Sequence, residues 1–270
     1  MIIIFDTAGG LCNQFYDIFN GINFCLHNNI NFTFRYCSFR NNDLTSWDDQ
    51  PFEKLFDPIF LNEYNLFINY DNIKDKVTSD NCFNLDSKIA SHIIFNDNSN
   101  LLNQFINLNK EYILLRNFWC LYKFRNIIDN NIFKKILPSK NILEKYNEIK
   151  KKIINENPYN FIHYRYEHDF SDYFQLKINT IDNILEISKF KNNEIPIYVA
   201  GYNIKKLISL NKNILSKDDD ELLNFNFEEK GFIDYLFGLN SEECFGHSRS
   251  SFSVMINYFK NSSNYYDLQK

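Results

Sequence analysis

Ile2-Ile3-Ile4-Phe5 opens the chain as an all-apolar run rich in β-branched residues, as expected of a strand buried in a parallel sheet. Thr7-Ala8-Gly9-Gly10 follows as a turn, and Phe15, Ile18, Phe19, Ile22 and Leu26 then recur at helical spacing. "INFTFRY", residues 30–36, reads as a second strand. Strand, glycine turn, helix and strand joined this tightly predict a βαβ unit. Between 38 and 110 the pattern is weaker, and "SWDDQPFEKLFDP" predicts short helical turns broken by Pro51 and Pro58. Tyr112 to Phe124 carries dense apolar residues that predict another buried strand. Ile142 to Asn157 reads as a helix stopped by Pro158.

The alternation then resumes. Tyr159 to Tyr164 is strand-like, a helix begins near Thr180, and Ile195 to Gly201 is a strand followed by a helix at "NIKKLISL". A polar stretch from Ser216 to Glu221 precedes a helix running to about Leu239. A short strand around Cys244-Phe245, a polar turn and a closing helix from about Ser251 complete the chain. Repeated β/α alternation in both halves predicts an α/β protein of two lobes, 1–157 and 158–270, with a cleft between them. No solenoid period and no Gly/Ser- or Pro-rich linker interrupts it.

Composition narrows the function classes. With 270 residues, 44% of them hydrophobic, the chain is long enough for one large domain or two smaller ones. A formal net charge of -5, without clustered Lys and Arg, gives no electrostatic footprint for nucleic acid. The six cysteines include no CxxC pair, which predicts free thiols in a reducing compartment rather than a zinc site. The amino terminus lacks the basic and small-residue flanks of a signal peptide, and no apolar run reaches membrane-spanning length. A cytoplasmic protein is the expectation.

Several familiar chemistries drop out. Gly9-Gly10 is followed by no glycine until Gly21, so the GxGxxG dinucleotide pattern is missing. Walker A, GxSxG and HExxH sequences are missing too, and the five histidines form no metal set. Two other stretches carry possible chemistry. In "HYRYEHD", His163 and Arg165 lie two apart at a strand end and so point to one side, where ligands of α/β lobes gather. They suit a diphosphate clamp, with Glu167 and Asp169 orienting the arginine, or else an ordinary strand end whose ions pair. In "FGHSRSSFS", Gly246 and the serines at 248, 250 and 251 precede an apolar run, which suits either an anion-binding helix start or a plain N-cap.

Three separated segments together resemble the fucosyltransferases related to the protein O-fucosyltransferases and to the bacterial and animal α1,2/α1,6 enzymes. "GGLCNQFYDIFNGINF" is similar to their GGxxNQ opening, "HYRYEHD" to their H-x-R motif, and "IDYLFGLNSEECFGHSRSSFS" to their carboxyl-terminal motif. The resemblance implies a GT-B-like fold, two Rossmann-like lobes facing across a cleft, and metal-independent inverting transfer of fucose from GDP-fucose to a glycan or glycoconjugate hydroxyl. It implies no cofactor. By the same resemblance Arg165 contacts the diphosphate and supports departure of GDP, and His163 shapes the nucleotide site. Asp234 matches a guanine-contacting carboxylate, and Ser250, Ser251 and Phe252 hold phosphate oxygens and flank the nucleotide. Gly9, Gly10, Leu11 and Asn13 face the fucose and acceptor from the amino-terminal lobe, with Asn13 placed beside Arg165 among the catalytic residues.

One departure from the pattern is plain. Several relatives carry an aspartate after the "YVA"-like strand where this chain has Gly201-Tyr202, which leaves Asp218 to Asp220 as substitutes or the base contact made differently. No general base stands out among Asp6, Asp17, Glu167 and Asp169. Trp47, Phe52, Phe56 and Tyr64 are candidates either for stacking on an acceptor sugar or for core. Two other functions compete: transfer from another nucleotide sugar on the same scaffold, and an inactive carbohydrate-binding or scaffolding protein.

Overall fold

The structure is a computed structural model that describes residues 1–41, 46–85, 101–116, 127–165, 184, 194–201, 204 and 214–266. The chain divides into two compact units, Met1–Lys140 and Asn141–Lys270.

In the first unit, β1 (Ile2–Thr7), α1 (Leu11–Asn28) and β2 (Asn31–Arg40) form the expected βαβ. They are followed by β3 (Trp47–Pro51), β4 (Phe56–Asp57), β5 (Cys82–Leu85), α2 (Leu101–Asn107), β6 (Tyr112–Arg116), the single turn α3 (Ile132–Lys135) and β7 (Leu137–Pro138). The main sheet has the order β3-β2-β1-β6-β5, parallel throughout except for β3. Asn29 ends α1 in the left-handed conformation (φ 54°), where its N–H returns to Cys25 and Leu26 carbonyls. Asparagine tolerates that backbone better than other side chains.

One face of this sheet is closed by a ladder of rings. Phe5 stacks on Phe34 at 5.3 Å, Phe34 on Phe52 at 5.0 Å and Phe52 on Phe56 at 4.9 Å, and Phe15 of α1 tilts against Phe56 at 5.7 Å. Gly21 lets α1 settle on this layer, since a Cβ there would meet the Phe5 ring at 3.0 Å. Phe52, Phe56 and Tyr64 are therefore core, each under 9% exposed, while Trp47 is 41% exposed beneath the Arg40 guanidinium. The helical turns expected across "SWDDQPFEKLFDP" begin only at Phe52. Trp47–Pro51 is instead an antiparallel edge strand with every residue exposed, so no buried alternation marks it in the sequence.

The second unit takes almost all of α4 (Lys140–Ile153), which the sequence reading placed at the end of the first lobe. The helix packs there: Tyr146 meets Phe237 edge-on at 4.9 Å and Lys152 pairs with Glu221. Then come β8 (Asn160–His163), β9 (Ile197–Ala200), β10 (Ile214–Leu215), α5 (Phe227–Leu239), β11 (Cys244–His247), α6 (Ser251–Phe259) and β12 (Tyr265–Tyr266). All five strands are parallel in the order β10-β9-β8-β11-β12. The buried strand expected within Tyr112 to Phe124 is β6, while the helices expected from Thr180 and at "NIKKLISL" fall largely outside the described residues.

This strand order reverses direction at β8 and β11. The chain steps outward from β8 to β9 and β10, then returns to the other side of β8 as β11. Ligands of open parallel sheets bind beyond the carboxyl ends at such a reversal. Ile162, Tyr164 and Val199 fill the core on one face, while Phe161, His163 and Tyr198 turn toward α5 and α6 on the other. Among the described residues no helix is long and apolar enough to cross a membrane.

Candidate functional site

His163 ends β8 and His247 ends β11, so two histidines stand at the reversal point. Gly246 allows α6 to approach closely: a Cβ there would collide with the Ser253 side chain. Ser253 uses that approach. Its Oγ accepts the His247 N–H at 3.0 Å and lies 2.7 Å from His163 Nδ1. When the hydroxyl proton goes to Nδ1, His163 keeps its own hydrogen on Nε2 and offers a neutral donor. Phe252 covers the imidazole at 4.5 Å between ring centres.

Burial first, and then the charges of Arg165, His247 and Lys217, hold His163 well below its ordinary value of 6.5. Burial thus favours the neutral ring at physiological pH. That depression has a measurable sign. The unfolded chain takes up a proton near 6.5 that the folded chain refuses, so stability is full above that pH and falls as pH drops below it. We expect a slope of up to about 1.4 kcal/mol per pH unit, seen as a decline in Tm below about pH 6.5 that flattens in His163→Gln.

Arg165 follows β8 by two residues, and its exit is fixed by β12. The Tyr266 hydroxyl donates to the His163 carbonyl at 2.7 Å and accepts the Arg165 N–H at 3.1 Å. Ser250 is the N-cap of α6 but makes no side-chain cap bond, and Ser251 is exposed. A helix start of this kind directs N–H groups and partial positive charge outward. The structure thus gathers His163, Arg165, Ser250, Ser251 and Phe252 at one sheet end. Ser253 joins them although the sequence reading passed it over. Its signal was a serine on the buried side of an apolar helix, facing a glycine.

Asp234 is differently placed. A capping box, in which Asn226 and Glu229 exchange side-chain-to-backbone bonds, starts α5 and sets its buried face. On that face Asp234 Oδ1 accepts from the Tyr198 hydroxyl at 2.8 Å, and Oδ2 pairs with Lys217. Asp218 caps the turn after it through the Asp220 N–H at 2.9 Å. Glu167, His168, Asp169 and Tyr202 lie outside the described residues.

In the first unit Gly9 has φ +81°, a conformation that glycine adopts without strain, and Asn13 lies against it. Gly10 is the N-cap of α1, with Leu11 and Asn13 in its first turn. Gln14 is wholly buried and braces the turn, donating to Gly9 O (2.9 Å) and Ser38 O (2.7 Å) and accepting from Thr7 Oγ1 (2.7 Å) and Ser38 N–H (3.3 Å). Asp17 takes the Ala8 N–H at 2.8 Å, and Asp6 is held in a two-bond pair by Arg35. Both carboxylates first considered as bases here are thereby committed to the scaffold. Among the described residues no group of three or more His, Cys, Asp or Glu is placed to hold a metal ion.

No protein-family model matches the sequence, and no curated protein is significantly similar to it. Solved structures do match. A POFUT1 in complex with GDP superposes with a TM-score of 0.70 at 11% identity, covering 99% of this chain and 98% of that one. A POFUT1 complex with GDP-fucose gives 0.60 at 11% identity, covering 99% and 97%. The fucosyltransferase NodZ from Bradyrhizobium gives 0.58 at 12% identity, covering 95% and 91%. The chain therefore has the GT-B fold of these fucosyltransferases, assembled from two α/β units with largely parallel sheets.

Proposed function

We propose that the chain is a glycosyltransferase that transfers L-fucose from GDP-fucose to a hydroxyl of a glycan or glycoconjugate, with inversion at the sugar carbon. One observation carries the reading: Arg165 and the neutral His163 stand beside the start of α6 at the strand reversal. The fold around them is one solved elsewhere with GDP and GDP-fucose bound. Departure of GDP places negative charge on the diphosphate while the sugar becomes positive. Arg165 offers a rigid fork of donors to that charge, and the N–H groups of α6 add fixed dipoles that need no reorganisation. His163 contributes a hydrogen bond without titrating. Ser250 and Ser251 supply hydroxyls and Phe252 flanks the nucleotide. We assign Gly9, Gly10, Leu11 and Asn13 to the sugar and acceptor, and the first unit to the acceptor side. The reaction as proposed routes no step through a metal. Buried thiols such as Cys25 and Cys37 suit the reducing cytoplasm, where we place the protein.

The test is a thermal-shift or calorimetric screen with GDP, UDP, ADP and GDP-fucose. GDP and GDP-fucose are expected to raise Tm, by about 2.7 kcal/mol of stabilisation at a hundredfold excess over Kd. Absence of any shift with all four would remove the nucleotide site.

A further inference from the structure

The hairpin of β2 and β3 presents a group of side chains that the reaction as described does not use. Ser38 stands opposite Asp49 and Arg40 opposite Trp47, and the two pairs lie two residues apart, so all four share one face. Their contacts agree. Ser38 Oγ donates to Asp49 at 3.0 Å, and the Arg40 guanidinium lies over the Trp47 ring at 5.3 Å. Arg116, at the carboxyl end of β6, reaches the same face. It grips Asp49 with two nitrogens and donates to Ser38 Oγ at 3.0 Å. This face borders the Gly9-Gly10 turn, since a Cβ on Gly10 would lie 3.4 Å from an Arg40 nitrogen. It is open to solvent: Trp47 is 41% exposed, and the Arg116 and Asp49 side chains are 34% and 35% exposed.

Resting on the nucleotide-sugar reading above, we propose that this face is a subsite for a saccharide acceptor, in which the Trp47 ring stacks on a sugar and Arg116 with Asp49 holds its hydroxyls. Hydrogen-bond capacity supports the assignment. Arg116 has five N–H donors, of which Asp49 and Ser38 engage three. Asp49 has lone pairs for about four hydrogens and receives three. Burial raises its carboxyl, but the Arg116 pair outweighs that and holds it below the ordinary carboxylate value, so at neutral pH it only accepts. A hydroxyl both donates and accepts, so the remaining donors and acceptor, side by side, match two neighbouring hydroxyls of one sugar. A phosphate or carboxylate there would meet the charge of Asp49. Trp47 supplies apolar surface for the C–H face of the ring. A peptide acceptor fits less well. An extended chain would add to the open edge of β3, and Asp48, Asp49 and Pro51 guard that edge against pairing.

The experiment titrates lactose, cellobiose, chitobiose, maltose and an unglycosylated serine peptide into the wild-type chain without nucleotide, by calorimetry and saturation-transfer NMR. GDP is titrated separately. At least one disaccharide is expected to bind. Trp47→Ala and Asp49→Asn are each expected to weaken it by about tenfold or more, while Kd for GDP stays within about twofold. Absence of disaccharide binding up to about 10 mM overturns the inference, as does unchanged saccharide affinity in either variant. Binding of the peptide alone makes the acceptor a protein and overturns it equally. In each of these cases GDP binding leaves the donor reading standing. Saccharide binding without GDP binding sinks the donor reading and leaves the saccharide subsite. Trp47 is a surface residue, so Trp47→Ala decides the matter even where Asp49→Asn does not fold.

Discussion

Arg165→Ala is expected to lower GDP release from GDP-fucose by about 100-fold or more, corresponding to about 3 kcal/mol of lost transition-state stabilisation. The magnitude follows from the composition of the site. His163 is held neutral by burial, Lys217 is paired with Asp234, and the start of α6 contributes only partial charges. Arg165 is thus a full positive charge that we assign to the leaving diphosphate. Its main chain is fixed through the Tyr266 hydroxyl. Arg165→Lys keeps the charge but loses the planar pair of donors, and is expected to fall between the two. Steady-state release of GDP, with calorimetric Kd for GDP alongside, separates catalysis from binding. Turnover unchanged in the alanine variant would take Arg165 out of the reaction.

The largest expected effect on stability is at Gly201, which ends β9 next to the exit of β8. A Cβ there would lie well inside 3.0 Å of the Tyr164 carbonyl oxygen, a contact that real Cβ atoms essentially never show. The clashing atom is backbone and cannot rotate away. It is also locked in place, because the Tyr164 N–H donates to the Ala200 carbonyl at 2.7 Å. Gly201→Ala must therefore separate the carboxyl ends of β8 and β9. We expect a loss of about 3 kcal/mol, at the upper end of overpacking penalties, and a fall in Tm of roughly 6 °C or more. Because Arg165 follows Tyr164, the affinity for GDP should fall as well. A Tm within about 1 °C of wild type would contradict the packing described.

Much of the architecture is legible in the residue pattern, for physical reasons that differ between elements. Strand β1 and helix α1 are buried, so their apolar periods are strong and the alternation of the amino-terminal half can be read directly. β3 is not readable, because "WDDQP" sits on an exposed edge and needs no apolar alternation. β12 spans only two residues, too few for a pattern. At the site, spacing alone puts His163 and Arg165 together, since alternate residues of a strand share a face. Pairing of Asp234 with Lys217 could not be read that way. The two come from different elements, and only the packing of α5 against β9 brings them into contact. The resemblance placed Asp234 near the base, and the structure adds the cation and the tyrosine that occupy its oxygens.

Gln14 bears on how far a shared sequence signature can be trusted. Its carboxamide hands two hydrogens to carbonyls and receives two more in return, a double duty that glutamate, lacking N–H, cannot perform. The final letter of GGxxNQ is accordingly architecture: it pins the loop to the neighbouring strand at zero exposure, where no sugar or phosphate can reach it. In this chain that letter sets the shape at the head of the first helix, and what the protein acts on is written elsewhere, in side chains that face outward.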